Sequence, residues 1–253
     1  MKIIMTIAVA VAAVLGMFAP KSENTINAQQ SGPRVPIKEG TSTNWSGYAV
    51  ESNLLNPKSN VVTDVKGSWI IPSVTCTSLN TYSSAWVGID GYADNSVEQL
   101  GTDQDCVNGV ASYYVWYEMY PKPSYRVNLP VKAGDSVSAE VQYLGSGNFQ
   151  LSLRNVTTGQ SFSTRQKAMK ARLQSAEWVM EAPWSGGVLP LSNFGEIAFS
   201  NASATLSGHT RSISDGLWQN DAITKVSSGG SAKATPSGLS RSGDAFNVLW
   251  NHN

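Results

Sequence analysis

Residues 137–154 read VSAEVQYLGSGNFQLSLR, and this stretch decides the fold class. Apolar and polar side chains alternate from Val137 to Tyr143 and again from Phe149 to Arg154, which is the period-two pattern of strands with one buried face. Between the two runs, Gly-Ser-Gly-Asn has the composition of a tight hairpin turn. The stretch therefore predicts two antiparallel strands joined by a short loop.

Short strand patterns of this kind recur along the chain between turn signals. Blocks of helix-forming Ala, Leu, Glu and Lys are nearly absent, and this spacing of short strands favours an antiparallel β-sandwich or barrel. A segment rich in Gly, Ser and Pro from Ser227 to Ser242 is predicted to be mainly loop. The other strand candidates are residues 45–51, 65–71, 85–89, 112–120, 126–131, 196–199 and 222–226.

The N-terminus has the pattern of a secretory signal peptide. Met1-Lys2 is followed by an apolar run from Ile3 to Phe18, which is shorter than the roughly 20 residues of a membrane-spanning helix. Ala28 is preferred over Ala19 as the last residue of the leader, because a proline follows Ala19. We therefore predict that the mature protein is secreted, to the medium or to a periplasm, and does not stay in the membrane.

Removal of a signal peptide over residues 1–28 leaves about 225 residues, a length that suits one all-β domain. We predict a short propeptide or N-terminal arm over 29–43 and one domain over 44–253. Charged residues make up 14% of the chain and the formal net charge is zero. Nucleic-acid-binding proteins usually carry a basic patch, so the composition argues against that class. A monomer is the expected state.

Cys76 and Cys106 are the two cysteines of the chain. An even cysteine count in an exported protein predicts one disulfide, and closing a loop of about 30 residues stabilises a fold by roughly 3–4 kcal/mol in the chain-entropy model. The alternative is a cysteine nucleophile paired with a histidine. It is the weaker interpretation, because His209 and His252 are the available histidines and a second cysteine is present for pairing.

The sequence motifs of the common hydrolases and nucleotide-binding proteins are missing. There is no His-Glu-x-x-His, no Gly-x-Ser-x-Gly and no phosphate-binding loop, and two histidines argue against a zinc enzyme. We therefore expect no metal and no cofactor. If the protein is an enzyme, its chemistry falls to carboxylates, amides and hydroxyls, a set of groups that suits acidic pH.

The run SAEWVMEAP, residues 175–183, carries two such carboxylates. If the run is a strand, Glu177 and Glu181 share one face, while Trp178 and Met180 point into an apolar layer on the other. A row of carboxylates backed by a packed indole suits a surface that handles water and protons. An ordinary solvated strand face has the same pattern, and because most exposed glutamates do no chemistry, the run alone favours that interpretation.

Five motifs together resemble one known family, the glutamic peptidases or eqolisins. They occur in the family's order, with similar intervals, over roughly residues 44–226. The motifs are Asn44-Trp45-Ser46-Gly47-Tyr48, Trp86-Val87-Gly88-Ile89-Asp90-Gly91, Gln99-x-Gly101, Trp116-Tyr117-Glu118-x-Tyr120-Pro121 and Glu177-Trp178-x-x-Glu181.

The resemblance implies an endopeptidase that acts on protein and peptide substrates. It also implies a β-sandwich of two curved antiparallel sheets, a concanavalin- or lectin-like architecture, with the active site on a concave face. The family's catalytic glutamine and glutamate match Gln99 and Glu181, whereas Glu177 matches a glutamate that is less expected to be catalytic. Further polar and aromatic residues, expected in the cleft or around the pair, match Trp86, Asp90, Asp103 and Glu118.

One position departs from the pattern of many fungal members. Two residues before the tryptophan of the Trp-Tyr-Glu motif those members carry an aspartate, and this chain has Tyr114. The departure removes one expected hydrogen bond near the site. It also means that a pH optimum cannot be carried over from the fungal proteins.

Two other functions fit the same composition. A non-catalytic carbohydrate-binding β-sandwich also presents aromatic rows and amides to its ligand. A glycoside hydrolase would use two carboxylates among Glu118, Glu177 and Glu181. Gln99 discriminates between these classes, because the peptidase mechanism requires the glutamine and a two-carboxylate glycosidase does not.

Overall fold

The computed structural model describes residues 40–253, which form sixteen strands and no helix, and hence no helix able to cross a membrane. The predicted signal peptide 1–28 and residues 29–39 of the predicted propeptide or arm lie outside the described part. The strands are β1 (Thr41–Ser42), β2 (Trp45–Glu51), β3 (Val62–Ile70), β4 (Ser84–Ile89), β5 (Val97–Val107), β6 (Val110–Tyr120), β7 (Tyr125–Val127), β8 (Ser136–Gly145), β9 (Asn148–Asn155), β10 (Ser161–Lys167), β11 (Ser175–Glu181), β12 (Glu196–Leu206), β13 (His209–Ser212), β14 (Gln219–Val226), β15 (Ala232–Pro236) and β16 (Phe246–Trp250).

The predicted hairpin is β8 and β9. Its strands pair antiparallel, with Tyr143 opposite Phe149. Ser146 and Gly147 form the loop with φ of 52° and 72°, the left-handed conformation that a tight hairpin turn demands. Val141 and Leu151 are fully buried, as the alternation predicts. The sequence interpretation of this stretch is confirmed.

The strands follow one continuous path that folds into two layers. One layer runs β10-β9-β8-β3-β12-β16-β15-β14 and the other β14-β2-β11-β4-β5-β6-β7. Strand β14 belongs to both, because residues 219–223 pair with β2 whereas Lys225 and Val226 pair with β15. These neighbours are antiparallel; the two-residue β1 instead pairs parallel with β14. The all-β sandwich predicted from the sequence is confirmed.

Strand β3 shows how the two layers meet. Trp178 of β11 donates its indole N–H to the backbone oxygen of Lys66, at 2.6 Å, and Trp69 donates to Thr102 Oγ1 of β5 at 3.0 Å. A Cβ on Gly67 would lie 2.8 Å from the Trp178 ring, so a glycine is needed where this indole crosses β3. Both tryptophans are buried, and the main apolar core lies between the layers around them.

A second, smaller apolar cluster covers the opposite face of the second layer. Strands β2, β4 and β11 are consequently buried on both faces, and Glu177 and Glu181 are buried rather than solvated. The interpretation of residues 175–183 as an ordinary solvated face is therefore wrong. The cluster consists of Trp45, Ala49, Trp86, Val97, Trp116, Val179 and Ile223.

Several strands escaped the sequence analysis. Strand β5 carries Glu98, Gln99, Asp103 and Asp105 in buried positions, so its sequence lacks the apolar alternation of a strand that faces water. Strand β15 lies inside the segment predicted to be mainly loop. Strands β10, β13 and β16 were also not predicted, and β7 is shorter than the predicted 126–131.

Cys76 and Cys106 form the predicted disulfide, with their Cα atoms 5.4 Å apart. The bond joins the segment after β3 to the end of β5. Backbone hydrogen bonds between Thr81 and Cys106 hold the same two stretches together. The disulfide therefore fixes the end of the strand that carries Gln99.

Candidate active site

Strand register brings the sequence motifs onto one face of the second layer. Strands β11, β4, β5 and β6 are neighbours, and Glu177, Gly88, Gln99 and Glu118 lie opposite one another in a row across them. Side chains in such a row point to the same face of the sheet. Residues more than seventy positions apart in sequence are thus placed on one surface.

A second row lies four residues further along the same strands. It contains Glu181, Ser84, Asp103 and Tyr114. A cleft of about 400 Å³ is lined by Gln99 and Glu118 of the first row and by all four residues of the second row. The two residues predicted to be catalytic therefore face the same cavity.

The carboxyl group of Glu181 has defined hydrogen-bond donors. Trp86 Nε1 donates to Oε2 at 2.8 Å, and Asn44 Nδ2 donates to Oε1 at 2.9 Å. Burial raises the pKa of Glu181 to about 8, Glu118 adds to the rise, and the two donors lower the pKa. The group is therefore a carboxyl that can hold a proton well above the pH at which an exposed glutamate loses it, and a strong base once it is ionised.

Asn44 is itself held by neighbouring side chains. Ser42 Oγ donates to Asn44 Oδ1 at 3.0 Å, and the buried Lys225 donates its ammonium to the backbone oxygen of Thr43. Burial lowers the pKa of Lys225 to about 8, Lys233 acts in the same direction, and Glu181 opposes the shift. Residues 42–44, at the end of the predicted arm and the start of the predicted domain, are thus integrated into the fold beside Glu181.

Gln99 is oriented by Glu118. Gln99 Nε2 donates to Glu118 Oε2 at 2.6 Å, and the Gln99 carbonyl oxygen has no hydrogen-bond partner among residues 40–253. Gln99 is 2% exposed. A primary amide has two N–H donors and one acceptor oxygen, so Gln99 keeps one donor and its acceptor for a molecule in the cleft.

The packing of Trp86 explains why two of the sequence motifs contain a glycine, Gly88 in one and Gly101 in the other. A Cβ on Gly101 would lie 2.6 Å from the Trp86 Cβ and 2.2 Å from the Ala85 backbone oxygen, and a Cβ on Gly88 would lie 2.9 Å from the Trp86 ring. The indole also packs edge-on against Trp45, with ring centroids 4.9 Å apart. The glycines leave room for the indole that donates to Glu181.

Asp103 and Asp105 form a buried acidic pair at one end of the cleft. Asp103 Oδ1 accepts from Ser84 Oγ, and Asp105 Oδ2 accepts from Tyr114 Oη at 3.0 Å. Burial raises the pKa of Asp103 to about 6 and that of Asp105 to about 8, with Asp103 adding to the second shift. Tyr114, the position of the departure noted in the sequence, therefore contacts an acid of the cleft.

Asp90 lies elsewhere. Its carboxylate accepts backbone N–H groups of Arg172, Leu173 and Gln174 at 2.7–2.8 Å. It does not line the cleft. The contacts place Asp90 as an anchor for the segment that leads into β11.

The sequence analysis did not propose several residues that the structure brings to the cleft. Arg126 lines it because β7 pairs with β6, and the loop after β11 contributes Trp184 and Leu189. Asp105 carried a weak signal, since it is two residues from Asp103 and so on the same face of a strand. Across residues 40–253, no group of three or more His, Cys, Asp and Glu is arranged to hold a metal ion.

Comparisons with known proteins identify the family. A family model described as the Peptidase A4 family matches residues 43–244. Aspergillopepsin-2 of Aspergillus niger is 30% identical over 202 residues, covering 70% of this chain and 69% of the relative. Scytalidopepsin B of Scytalidium lignicola is 28% identical over 197 residues, covering 72% of this chain and 71% of the relative.

Solved structures show the same fold. A scytalido-glutamic peptidase bound to a peptide-based transition-state analogue superimposes with a TM-score of 0.69 at 24% identity, covering 83% of this chain and 99% of that one. Aspergilloglutamic peptidase from Aspergillus niger gives a TM-score of 0.60 at 31% identity, covering 68% of this chain and 99% of that one. The chain therefore belongs to the Peptidase A4 family, the glutamic peptidases, and is a hydrolase that acts on peptides.

Proposed function

We propose that this protein is a secreted, acid-acting endopeptidase in which Glu181 and Gln99 hydrolyse the peptide bond. The observation that carries the proposal is that both side chains face one cleft. The buried Glu181 carboxyl accepts hydrogen bonds from Asn44 and Trp86, and the Gln99 amide donates a hydrogen bond to Glu118. Family membership supports the reaction class.

Glu181 acts as the base and then as the acid. Hydrolysis requires removal of a proton from water, formation of the bond between the water oxygen and the carbonyl carbon, and delivery of a proton to the leaving amine. As a carboxylate, Glu181 takes the water proton. As a carboxylic acid, it gives that proton to the amine nitrogen while the carbon–nitrogen bond breaks, which returns Glu181 to the carboxylate form.

Gln99 stabilises the intermediate. Its carbonyl oxygen positions the attacking water, and its remaining N–H donates to the oxyanion that develops on the former carbonyl oxygen. Glu118 keeps the amide from rotating, through the 2.6 Å hydrogen bond with Nε2. An uncharged amide beside Glu181 also avoids the repulsion that a further carboxylate at that position would bring.

The surroundings of Glu181 set the balance between its two roles. Burial strengthens the carboxylate as a base by raising its pKa, but it also reduces the fraction that is ionised at acidic pH. The N–H groups of Trp86 and Asn44 favour the carboxylate and restore part of that fraction.

We further propose that residues 1–28 are removed as a signal peptide and that residues 29–43 form a short propeptide or arm. The disulfide between Cys76 and Cys106 supports export, because disulfides persist in oxidising compartments. Since Thr41 and Ser42 pair with β14, any cut that spares the domain falls before them.

Substitution of the pair tests the mechanism. Glu181→Gln keeps the size and hydrogen-bonding capacity of the side chain but removes the proton acceptor, so kcat/KM on a protein substrate at acidic pH is expected to fall by more than about 10²–10⁴-fold. Gln99→Ala is expected to cost at least about 10²-fold, as for loss of an oxyanion donor. Gln99→Glu is also expected to fail, because neighbouring carboxylates would compete for a proton.

Glu177→Gln is the matched control. It makes the same chemical change on the same strand, at a residue that does not line the cleft, and is expected to keep measurable activity. Circular dichroism confirms the fold of each variant. If Glu181→Gln retains more than a tenth of the wild-type kcat/KM, the proposed mechanism is wrong.

A further inference from the structure

Arg126 stands on the wall of the cleft, on the edge strand β7 opposite Trp116. Its guanidinium carbon lies 4.4 Å from the centroid of the Tyr114 ring. This distance is that of a cation–π contact, which orients a guanidinium without using its N–H groups. Tyr114 therefore supports Arg126 and leaves its donors available.

Arg126 is the cation among the charged residues that line the cleft; the others are Asp103, Asp105, Glu118 and Glu181. It takes part in none of the three ion pairs found within residues 40–253. The residue is exposed, so a molecule in the cleft can reach the guanidinium. A planar guanidinium with free N–H groups is suited to bind a carboxylate through two parallel hydrogen bonds.

The two buried aspartates of the cleft, whose charges interact with Arg126, do not neutralise it in acidic solution. Asp103 already accepts from Ser84, and Asp105 accepts from Tyr114. Burial raises the pKa of both groups, to about 6 for Asp103 and about 8 for Asp105 even though Arg126 lowers both, so both are mainly protonated at pH 5.5. The positive charge of Arg126 then remains for an incoming group.

The strand register gives the distance between Arg126 and Gln99. Gln99 lies opposite Glu118 on β6, and Arg126 lies opposite Trp116, two residues along β6 and one strand further. With strands about 4.8 Å apart and a rise of about 3.4 Å per residue, the Cα atoms of Gln99 and Arg126 are roughly 12 Å apart. An extended peptide covers that distance in about three to four residues.

We infer that Arg126 forms a subsite that binds a carboxylate of the peptide substrate, supplied by an Asp or Glu side chain about three to four residues from the cleaved bond. The inference rests on the proposed endopeptidase function. It adds a preference for acidic residues at one position.

A panel of peptides with blocked termini tests the subsite at pH 5.5, where glutamate side chains are mostly ionised. The parent peptide contains neutral residues around one cleaved bond, and Glu or its neutral isostere Gln is placed in turn at each of four positions on both sides. We expect about fivefold or more higher kcat/KM for Glu than for Gln at one of these positions. A further peptide with a free C-terminal carboxylate at that position shows whether the chain end binds equally well.

Arg126→Gln is expected to abolish the difference between the Glu and Gln peptides. Arg126→Glu is expected to favour a Lys peptide instead, because it reverses the charge of the subsite. Thermal unfolding shows that each variant is folded. Equal cleavage of the Glu and Gln peptides at every position by the wild type, or an unchanged preference in Arg126→Gln, would overturn the inference. Cleavage of no peptide at all by the folded wild type would instead contradict the proposed function.

Discussion

Replacement of Gly101 by alanine isolates the packing that holds Trp86 against Glu181. The new methyl group would lie 2.2 Å from the Ala85 backbone oxygen and 2.6 Å from the Trp86 Cβ. Both distances are far below the roughly 3.5–4.0 Å of an optimal carbon contact. The first neighbour is backbone of the adjacent strand, so β4 and β5 must move apart by about 1 Å to accommodate the side chain.

The expected cost follows from that displacement. Overpacking of a close-packed site costs about 1–3 kcal/mol and occasionally more, and a rigid backbone neighbour places Gly101 at the upper end. Gly101 does not have a left-handed φ, so alanine brings no backbone strain and even gains about 0.4–1 kcal/mol from the unfolded chain. A net loss of about 2–3 kcal/mol lowers Tm by about 4–12 °C in a protein of this size.

The effect on activity is expected to exceed the effect on stability. Gln99 is two residues from Gly101 on β5, and the Trp86 N–H that donates to Glu181 moves with β4. A misplacement of about 1 Å can cost about 10²-fold in rate.

Thermal unfolding and kcat/KM, both measured at acidic pH, check the prediction. Gly216→Ala is the control, because no atom lies within 4 Å of the added Cβ and the φ is not left-handed. If Gly101→Ala unfolds at the wild-type temperature and keeps more than a tenth of the activity, the steric argument is wrong.

Two predictions concern pH. Asn44→Ala removes a donor that favours the carboxylate of Glu181, so the pKa of Glu181 should rise. The acidic limb of the plot of kcat/KM against pH should then move to higher pH by about one unit. An acidic limb that does not move, or that moves to lower pH, contradicts the role given to Asn44. Burial raises the pKa of Glu98 well above its usual value, and neither carboxyl oxygen of this fully buried residue has a hydrogen-bond partner within residues 40–253. The folded protein therefore keeps a proton that the unfolded chain loses above about pH 4.3, so this stabilisation is complete below that pH and is lost as the pH rises through the folded pKa. Tm should fall between pH 5 and 8 and fall less steeply in Glu98→Gln, whereas a Tm that rises over this range would refute the assignment.

Strand patterns were predictable from the sequence wherever one face of the sheet meets the core and the other meets solvent. Strands β8 and β9 are the clearest case, since Val141 and Leu151 are buried and the polar side chains between them are not. The pairing of Cys76 with Cys106 was likewise predictable, because two cysteines in an exported chain have one way to pair. For β5 the same rule failed, because its polar face is buried in the cleft.

The sequence by itself determined the residue types that can do the chemistry. The sequence lacks the familiar metal and nucleophile motifs, so the possible chemistry was narrowed to carboxylates, amides and hydroxyls. The resemblance in five motifs, one of which contains the glutamine, indicated the family. These conclusions depend on local composition and on the order of the motifs along the chain, and both are present in the sequence before it folds.

Only the tertiary structure decided which of these side chains meet. Register between β11, β4, β5 and β6 places Glu181 and Gln99 on the same face, and it leaves Asp90 outside the cleft, bound to backbone N–H groups. The pairing of β7 with β6 brings Arg126 to the same surface. Strand pairing between distant segments is set by packing of the two layers, and burial on the cleft face of the second layer is what raises the pKa of Glu181. No single segment of the sequence contains the strand register or the burial of Glu181.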